Sequence, residues 1–523
     1  MTDQIFVLIY ISNPAASRYL KCESALRFLG LIREKGAQSA VYAGGLGSVG
    51  PGPAEGPQSA SVEEIGLCLN RCLRRYKTVF FVSDSQMAVS SAAGKAGCIP
   101  FLLKEGGQLG FACNEFIEIE GLSSLEPYFE GSQPYHLFTI LRGRPEDYQE
   151  QICKHNADIA EQVRARSGVH VFGTGTNGEL IWRECRKVGL QVLGFIDNDV
   201  RKQGQVFYGL PVKAPSELDP AHDVVILASG NCSYDIYMQL RNMGFKYVQN
   251  LAEFFFAFDS VSQPGISFRD KSFQADLWRN RIFYHALFLR VADSMSRKVL
   301  EGIVGFRKSF DLSLTGGICD RQNPQWFDGN YFKPDASHVF VDAGAFDGDT
   351  ALNFIRCNGS SYKAIHLFEA DPKISKRAAV NLGGDGRIYV HNMGLSDKEG
   401  TFFFSQTGQT NGRLTEGDGI PVRVSTVDAI VKDKITFIKM DIEGVEKEAI
   451  YGASHHIRDD SPLLAVAVYH KAQDIWAVPR LVLEINPDYE FYLRHYTQFA
   501  YETVMYAVCK APKDAAKGFT QDR

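Results

Sequence analysis

His338-Val-Phe-Val-Asp-Ala-Gly-Ala-Phe-Asp-Gly-Asp-Thr350 is the stretch that decides the fold. Its first five residues read as an apolar strand ending at Asp342. Gly344 and Gly348 then turn the chain into a helix. Glycine lets backbone approach a ligand closely, and the free N–H groups of a helix start bind polar or anionic groups. The next strand, Ala364–Phe368, ends at Glu369, 21 residues after Gly348. An acid at the tip of a second strand accepts hydrogen bonds from both hydroxyls of a ribose.

Further along, Ile435–Met440 reads as a strand that ends in Asp441-Ile442-Glu443-Gly444, with a helix from Val445. Leu463–Val468 reads as another, ending in Tyr469-His470. Each strand tip brings a polar group to one rim of the sheet. Open α/β sheets bind their ligands at that carboxyl edge.

Four segments carry a family resemblance: FVDAGAFDGDT (340–350), LFEADP (367–372), FIKMDIEGVEKEAIYGA (437–453) and AVYH (467–470). Together they resemble the FkbM-type methyltransferases, which use S-adenosyl-L-methionine on a class I, Rossmann-like fold. Residues 489–507 resemble that class's closing antiparallel hairpin. One departure is a Gly-x-Gly-x-Gly reduced to Gly344 and Gly348, which the FkbM pattern tolerates. The resemblance implies a cofactor site at Asp342, Gly344, Ala345, Gly348, Thr350, Glu369 and Asp441, with Asp441 and Glu443 lining the substrate side.

A sulfonium methyl needs no protein nucleophile, only an acceptor oxygen held in line behind the carbon. An alcohol acceptor loses a proton in the transfer, so a base helps. His470, Asp441 and Glu443 are the catalytic candidates, with His470 expected as a neutral imidazole. Against these roles, Glu443 could cap the helix near Val445, and His470 could be a satisfied strand-end histidine. Asp441 and Glu443 could hold a divalent ion, but no third clear ligand accompanies them, so no metal is expected.

The middle of the chain holds a second fingerprint. Val171-Phe-Gly-Thr-Gly-Thr-Asn-Gly178 is Gly-x-Gly-x-x-Gly after a strand and opening a helix, and Asp197 ends the next strand. Gly173, Gly175, Gly178 and Asp197 form a candidate second nucleotide site. A nucleotide-free structural unit is the alternative. Residues 171–212 resemble the small Rossmann domain of nucleotide-sugar acetyltransferases, which implies a sugar nucleotide or NAD(P) ligand. Between 165 and 260 there is no Tyr-x-x-x-Lys pair, which speaks against redox chemistry.

The first 145 residues again alternate strand and helix: Ile5–Ile11, Glu23–Lys35, Ser39–Tyr42, Val62–Tyr76 and Thr78–Val82. Gly44 to Pro57 is a loop with nine Gly or Pro in fourteen residues. Residues 79–98 resemble the last acidic motif of haloacid-dehalogenase-type phosphatases, but Ala88 stands where a second Asp belongs and Ile5–Asn13 lacks paired aspartates. Any such unit would be catalytically dead; a plain α/β packing module fits as well.

The expected fold class is α/β: a class I methyltransferase domain preceded by two Rossmann-like units. The expected domains are 1–145, 165–260, a helical bridge over 265–330, and 331–508. With 523 residues, 45% hydrophobic and 22% charged, the chain is neither mainly disordered nor collagen-like. A net charge of −5 gives no basic excess for nucleic acid. No signal peptide or 20-residue apolar span is seen, so a cytoplasmic protein is expected. The 11 cysteines, without Cys-x-x-Cys, read as reduced structural thiols. The expected activity is O-methylation of a sugar hydroxyl, on a glycan or nucleotide sugar. The alternatives are an NAD(P)-dependent oxidoreductase working through the middle unit, and a non-catalytic nucleotide-binding scaffold.

Overall fold

The computed structural model describes residues 168–257, 272–406, 412–415 and 420–509, together with short helical pieces at 153–165 and six strands before them. The chain divides into two compact units. One comprises Met1–Gly143 and Asn280–Arg290, the other Arg144–Arg279 and Val291–Arg523.

In the first unit, β1 (Ile5–Ile11), β2 (Gln38–Ala43), β3 (Thr78–Ser83), β4 (Cys98–Leu103), β5 (Leu109–Phe111) and β6 (Glu118–Ile119) form a sheet of order 2-1-3-4-5-6. The first four pair in parallel, and β5 and β6 add antiparallel. The expected helices Glu23–Lys35 and Val62–Tyr76, the 44–57 loop and Ala88 lie outside the described residues.

The second unit contains three sheets, the two larger of which alternate with helices. In its first half lie β7 (Val169–Phe172), α1 (Thr176–Lys187), β8 (Val192–Ile196), β9 (Val206–Phe207), β10 (Leu210–Lys213), β11 (Val224–Leu227), α2 (Ser233–Asn242) and β12 (Tyr247–Gln249). Their strand order is 12-11-7-8-10-9, so the chain reverses direction between β7 and β11. Both of those strands are buried along their whole length, as a parallel strand covered on both faces must be.

The C-terminal half is built from β13 (Val339–Ala343), α3 (Asp349–Cys357), β14 (Ala364–Phe368), α4 (Pro372–Asn381), β15 (Ile388–His391), β20 (Phe437–Met440), α5 (Glu446–Tyr451), β21 (Leu463–Ala467), α6 (Asp474–Ile485), β22 (Tyr489–His495) and β23 (Thr503–Cys509). Between β15 and β20, the strands β16 (Gly394–Leu395), β17 (Gly400–Gln406), β18 (Gly412–Thr415) and β19 (Ile420–Ser425) form a small separate sheet. The main order is 15-14-13-20-21-23-22, parallel except for the antiparallel β23, which pairs with β21 and β22. Phe340, Phe354 and Phe437 stack beneath it, with ring centroids 4.6 and 4.9 Å apart. Burying such rings is the dominant favourable term in a core of this kind.

The loop from β22 to β23 joins the two halves. The Gln498 side chain accepts from the Asp235 N–H at the start of α2, and Tyr501 lies against Gly230. Arg321 makes a two-pronged bond to Asp235 at 2.8 and 2.9 Å. The described residues of the middle and C-terminal segments thus belong to one compact unit, Arg144–Arg279 with Val291–Arg523.

Candidate functional site

The β13–α3 turn is shaped by its neighbours. Gly344 has φ +78°, and a Cβ there would overlap the carbonyl oxygen of Asp441. Glycine is therefore required by packing against the β20 tip, independently of any ligand. Gly348, at φ +87°, caps α3. Ala345 and Thr350 are buried in the chain's own packing.

Asp342 is fully buried, 3.1 Å from the ammonium of Lys439 on β20. Lys439 also donates to the Gly344 carbonyl at 2.8 Å. Burial works against the charge on Lys439, but Asp342 and then Asp441 more than offset it. This pair ties β13 to β20 directly under the turn. It supports the site from below.

Glu369 lies at the rim. One carboxylate oxygen accepts from the Phe346 N–H at 3.0 Å, the other from the Asp371 N–H at 2.8 Å. A carboxylate offers about four lone-pair positions, so about two remain for a ligand. Burial raises its pKa, opposed by these two N–H bonds.

On the other side of Gly344, the turn Asp441–Gly444 follows β20. Glu443 has φ +58°, in the left-handed region that non-glycine residues rarely adopt. Glu446, only 1% exposed, holds the turn: one of its oxygens accepts from Ile442 N–H at 3.0 Å and Gly444 N–H at 3.3 Å. That same oxygen lies 2.9 Å from His470 Nδ1. The other ring nitrogen, Nε2, is 3.3 Å from Asp441 and 3.7 Å from Glu443. The Tyr469 hydroxyl is 3.2 Å from Asp441 and 3.3 Å from Glu502.

The three catalytic candidates are thus neighbours, but His470 is not the expected neutral imidazole. Burial opposes its charge, yet Glu446, with Asp441 and Glu443, raises its pKa to about 10. At neutral pH it carries a proton and cannot take another. Glu443 moves the other way for an acid: burial, and then Asp441, Glu446 and Glu502, outweigh the opposing pull of His470 and lift it to about 7. Sequence reading missed Glu446, Tyr469, Lys439 and Glu502. The Asp441-x-Glu443-x-x-Glu446 spacing was visible, but nothing in it says that the last carboxylate turns inward.

The middle fingerprint is arranged as a Rossmann turn. Gly173 has φ +113°, and a Cβ on Gly178 would overlap the Gly173 carbonyl oxygen, the close strand–helix approach such a motif needs. Gly175 opens α1 with free space around it. Asp197, however, is already engaged by the Thr174 hydroxyl at 2.6 Å, Lys202 at 2.9 Å and the Asp199 N–H at 2.9 Å. Where β7 and β11 diverge, the Tyr501 ring stands 3.2 Å from where a Gly230 Cβ would be.

Residues 342–501 match the model of the methyltransferase FkbM domain. The chain is a methyltransferase with an FkbM domain. Residues 166–249 match a second model, the N-terminal domain of C2185-like proteins. Among solved structures, a methyltransferase FkbM from Methylobacillus flagellatus KT is 22% identical, over 69% of this chain and 98% of that one, with a TM-score of 0.53. That likeness is one of fold, and it reaches beyond the FkbM domain into the preceding segments. Fibrillarin from Aeropyrum pernix, solved with natively bound S-adenosyl-L-methionine, is 12% identical over 34% of this chain and 67% of that one, at a TM-score of 0.22. No curated protein matches the sequence. Among the described residues no helix is long and apolar enough to cross a membrane.

Proposed function

We propose that the chain transfers the methyl group of S-adenosyl-L-methionine to a sugar hydroxyl, on a glycan or a nucleotide sugar. The observation that carries this reading is the division of the sheet rim at Gly344. On one side, Glu369 retains lone pairs for the two ribose hydroxyls. On the other, Asp441, Glu443, Tyr469 and His470 form a polar corner suited to a hydroxyl acceptor.

The Gly344–Phe346 turn approaches the cofactor, and Glu369 orients its ribose. Asp342 and Lys439 hold the turn in place. The acceptor oxygen attacks the sulfonium methyl carbon from behind. As the O–C bond forms, the S–C bond breaks and its electron pair stays on sulfur, leaving a neutral thioether. The acceptor proton passes to the carboxylate of Asp441 or Glu443, because His470 already carries one. Removing a general base costs ~10²–10⁴-fold in rate.

Charge supports a neutral acceptor. Asp441, Glu443, Glu446 and Glu502 all bear on the electrostatics of His470 or Tyr469. Such a corner disfavours phosphate beside the reacting hydroxyl itself and suits the polyhydroxylated sugar end of a glycan or nucleotide sugar. The middle domain then serves as a platform that fixes the 496–502 loop. An oxidoreductase acting through the middle unit fits less well, because three of about four lone-pair positions on Asp197 are already taken by Thr174, Lys202 and the Asp199 N–H.

The test is transfer of labelled methyl from S-adenosyl-L-methionine to a panel of free sugars, oligosaccharides and sugar nucleotides. Label in an alkali-stable methyl ether, lost in Asp441→Asn, is expected. Cofactor binding with no label in any hydroxylated acceptor would overturn the reading.

A further inference from the structure

We propose that Glu502 keeps its proton and is a positioning residue for the methyl transfer: its carboxyl donates to the Tyr469 hydroxyl, which donates in turn to Asp441 and aims that base at the acceptor. The inference rests on the acceptor-side reading above and gives Glu502 a role opposite to that of the carboxylates around it.

Proton counting is the starting point. The Tyr469 hydroxyl lies 3.2 Å from Asp441 Oδ1 and 3.3 Å from Glu502 Oε1. A phenol has one proton to give, so it serves only one of two ionised carboxylates. The other would then face a lone pair of the phenol oxygen. Both contacts exceed the ~2.5–3.0 Å of a fully formed O–H···O bond. One further proton makes both of them hydrogen bonds running the same way along the chain. Asp441 Oδ1 already faces an N–H, because the charged His470 places Nε2 3.3 Å from it. The extra proton therefore belongs on Glu502. The Glu502 side chain bonds to a neutral phenol and, through Oε2, to the neutral amide of Gln325. Among the described residues no lysine or arginine pairs with it.

A second set of observations is independent of those contacts. The loop that carries Glu502 is fixed from the other side. The Gln498 side chain accepts from the Asp235 N–H at 2.9 Å, and its carbonyl accepts from the Thr315 hydroxyl at 2.8 Å. Tyr501 stands against Gly230 of the middle domain. Glu502 itself has φ +61°, in the left-handed region, and its carbonyl accepts from the Tyr496 N–H at 3.0 Å. Such strain persists only where the surrounding structure over-determines it. The groups that face the Glu502 carboxyl come from three elements: Asp441 and Glu443 after β20, Tyr469 and His470 after β21, and Gln325 before β13. Burial, and then Asp441, push its pKa above the usual carboxylate range. Gln325, His470 and Tyr469 pull the other way and do not make up the difference. A carboxyl kept neutral by its surroundings can donate a hydrogen bond where an ionised one only accepts.

The order of these bonds bears on the reaction through Asp441. Its Oδ1 takes the Tyr469 bond and faces His470, while Oδ2 has no partner among the described residues. Oδ2 is then the oxygen left for the acceptor hydroxyl. As the methyl arrives, the acceptor proton passes to Oδ2, and Glu502 and Tyr469 keep theirs. Ionising Glu502 undoes the arrangement. Two carboxylates then compete for the one proton of Tyr469, and Asp441 loses the donor that fixes its rotation. Turnover should therefore fall as pH rises through the titration of Glu502, before His470 gives up its own proton at about 10.

The test begins without an acceptor. Infrared difference spectra of the full-length chain at neutral pH, wild type minus Glu502→Gln, are expected to show the C=O stretch of a neutral carboxyl. Raising the pH should remove it. Tyr469→Phe should move it to higher frequency, because the proton loses its acceptor. No such band, or a band indifferent to Tyr469→Phe, overturns the proposal. Turnover on the sugar panel is then followed against pH, with melting curves to report that each variant is folded. Glu502→Leu and Tyr469→Phe should lower turnover about ten- to hundredfold, the usual contribution of one hydrogen bond to a charged group. Glu502→Gln should recover most of that loss, since its NH₂ donates to Tyr469 and its carbonyl accepts from Gln325. It should also abolish the decline at high pH, whereas Glu443, raised to about 7, titrates in both proteins. A Glu502→Gln variant as slow as Glu502→Leu would mean that the ionised carboxylate does the work, and refutes the proposal. If no sugar in the panel is methylated, the acceptor reading fails, and the infrared band still decides where the proton sits and where it points.

Discussion

Replacing Glu369 by alanine tests the cofactor side of the site most directly. The carboxylate already accepts from Phe346 and Asp371, which leaves about two lone pairs for the two ribose hydroxyls. Hydrogen bonds to a charged group contribute ~1.5–3 kcal/mol each. Two such bonds lost amount to ~3–6 kcal/mol before water refills the space. At ~1.4 kcal/mol per tenfold, cofactor affinity should fall about hundredfold or more. Glu369→Ala also strips an acceptor from two backbone N–H groups, so it loosens the 344–348 turn. Glu369→Gln separates the effects: its single oxygen can serve one N–H, while its NH₂ group faces the other donor. Both variants should bind S-adenosyl-L-methionine weakly by calorimetry, with Gln no better than about tenfold above Ala. A Kd within threefold of wild type, in a variant with an unchanged melting transition, would refute the ribose assignment.

Three further outcomes follow from the same geometry. Lys439→Met leaves Asp342 buried beside no cation and should cost ~3–5 kcal/mol in denaturant unfolding, with part recovered in Lys439→Met/Asp342→Asn; an unchanged midpoint in the single variant would show the pair to be dispensable. Gly344→Ala should fail to fold normally even without cofactor, because its Cβ meets the Asp441 carbonyl; a wild-type circular dichroism melt would place the glycine's role in ligand binding alone. His495 is fully buried, and burial lowers its pKa from 6.5 to about 4. Above pH 6.5 both folded and unfolded forms are neutral; between 6.5 and 4 only the unfolded chain takes up the proton, so stability falls as pH drops through that window, by up to ~3 kcal/mol. His495→Gln should flatten that part of the pH–stability curve, and an equal slope in both proteins would contradict the assignment.

Much of the site's framework was legible along the chain. The strand ending at Asp342, the turn at Gly344 and Gly348, and the acid at Glu369 follow one another within about thirty residues. Turn chemistry and the apolar character of a doubly covered strand are local properties, so such a sequence announces them. The tips of β20 and β21 were legible for the same reason. Asp441, Glu443 and His470 do meet, because consecutive parallel strands bring their carboxyl ends to one rim.

The state of those groups was decided elsewhere. Whether His470 is a base depends on Glu446, whose inward-turned side chain is held by the Ile442 and Gly444 N–H groups and lies 2.9 Å from the imidazole. Asp342, expected at the cofactor, pairs with Lys439 from a strand nearly a hundred residues on. Asp197 matches a ribose-binding acid by spacing, yet Thr174 and Lys202 already occupy it. Tyr501 reaches the middle domain's crevice from the far end of the chain. Protonation and hydrogen-bond occupancy depend on charges and donors a few ångströms away in space, and those neighbours are set only once the sheets have packed. The sequence by itself determined which residues reach the rim; the tertiary structure decided what each of them finds there.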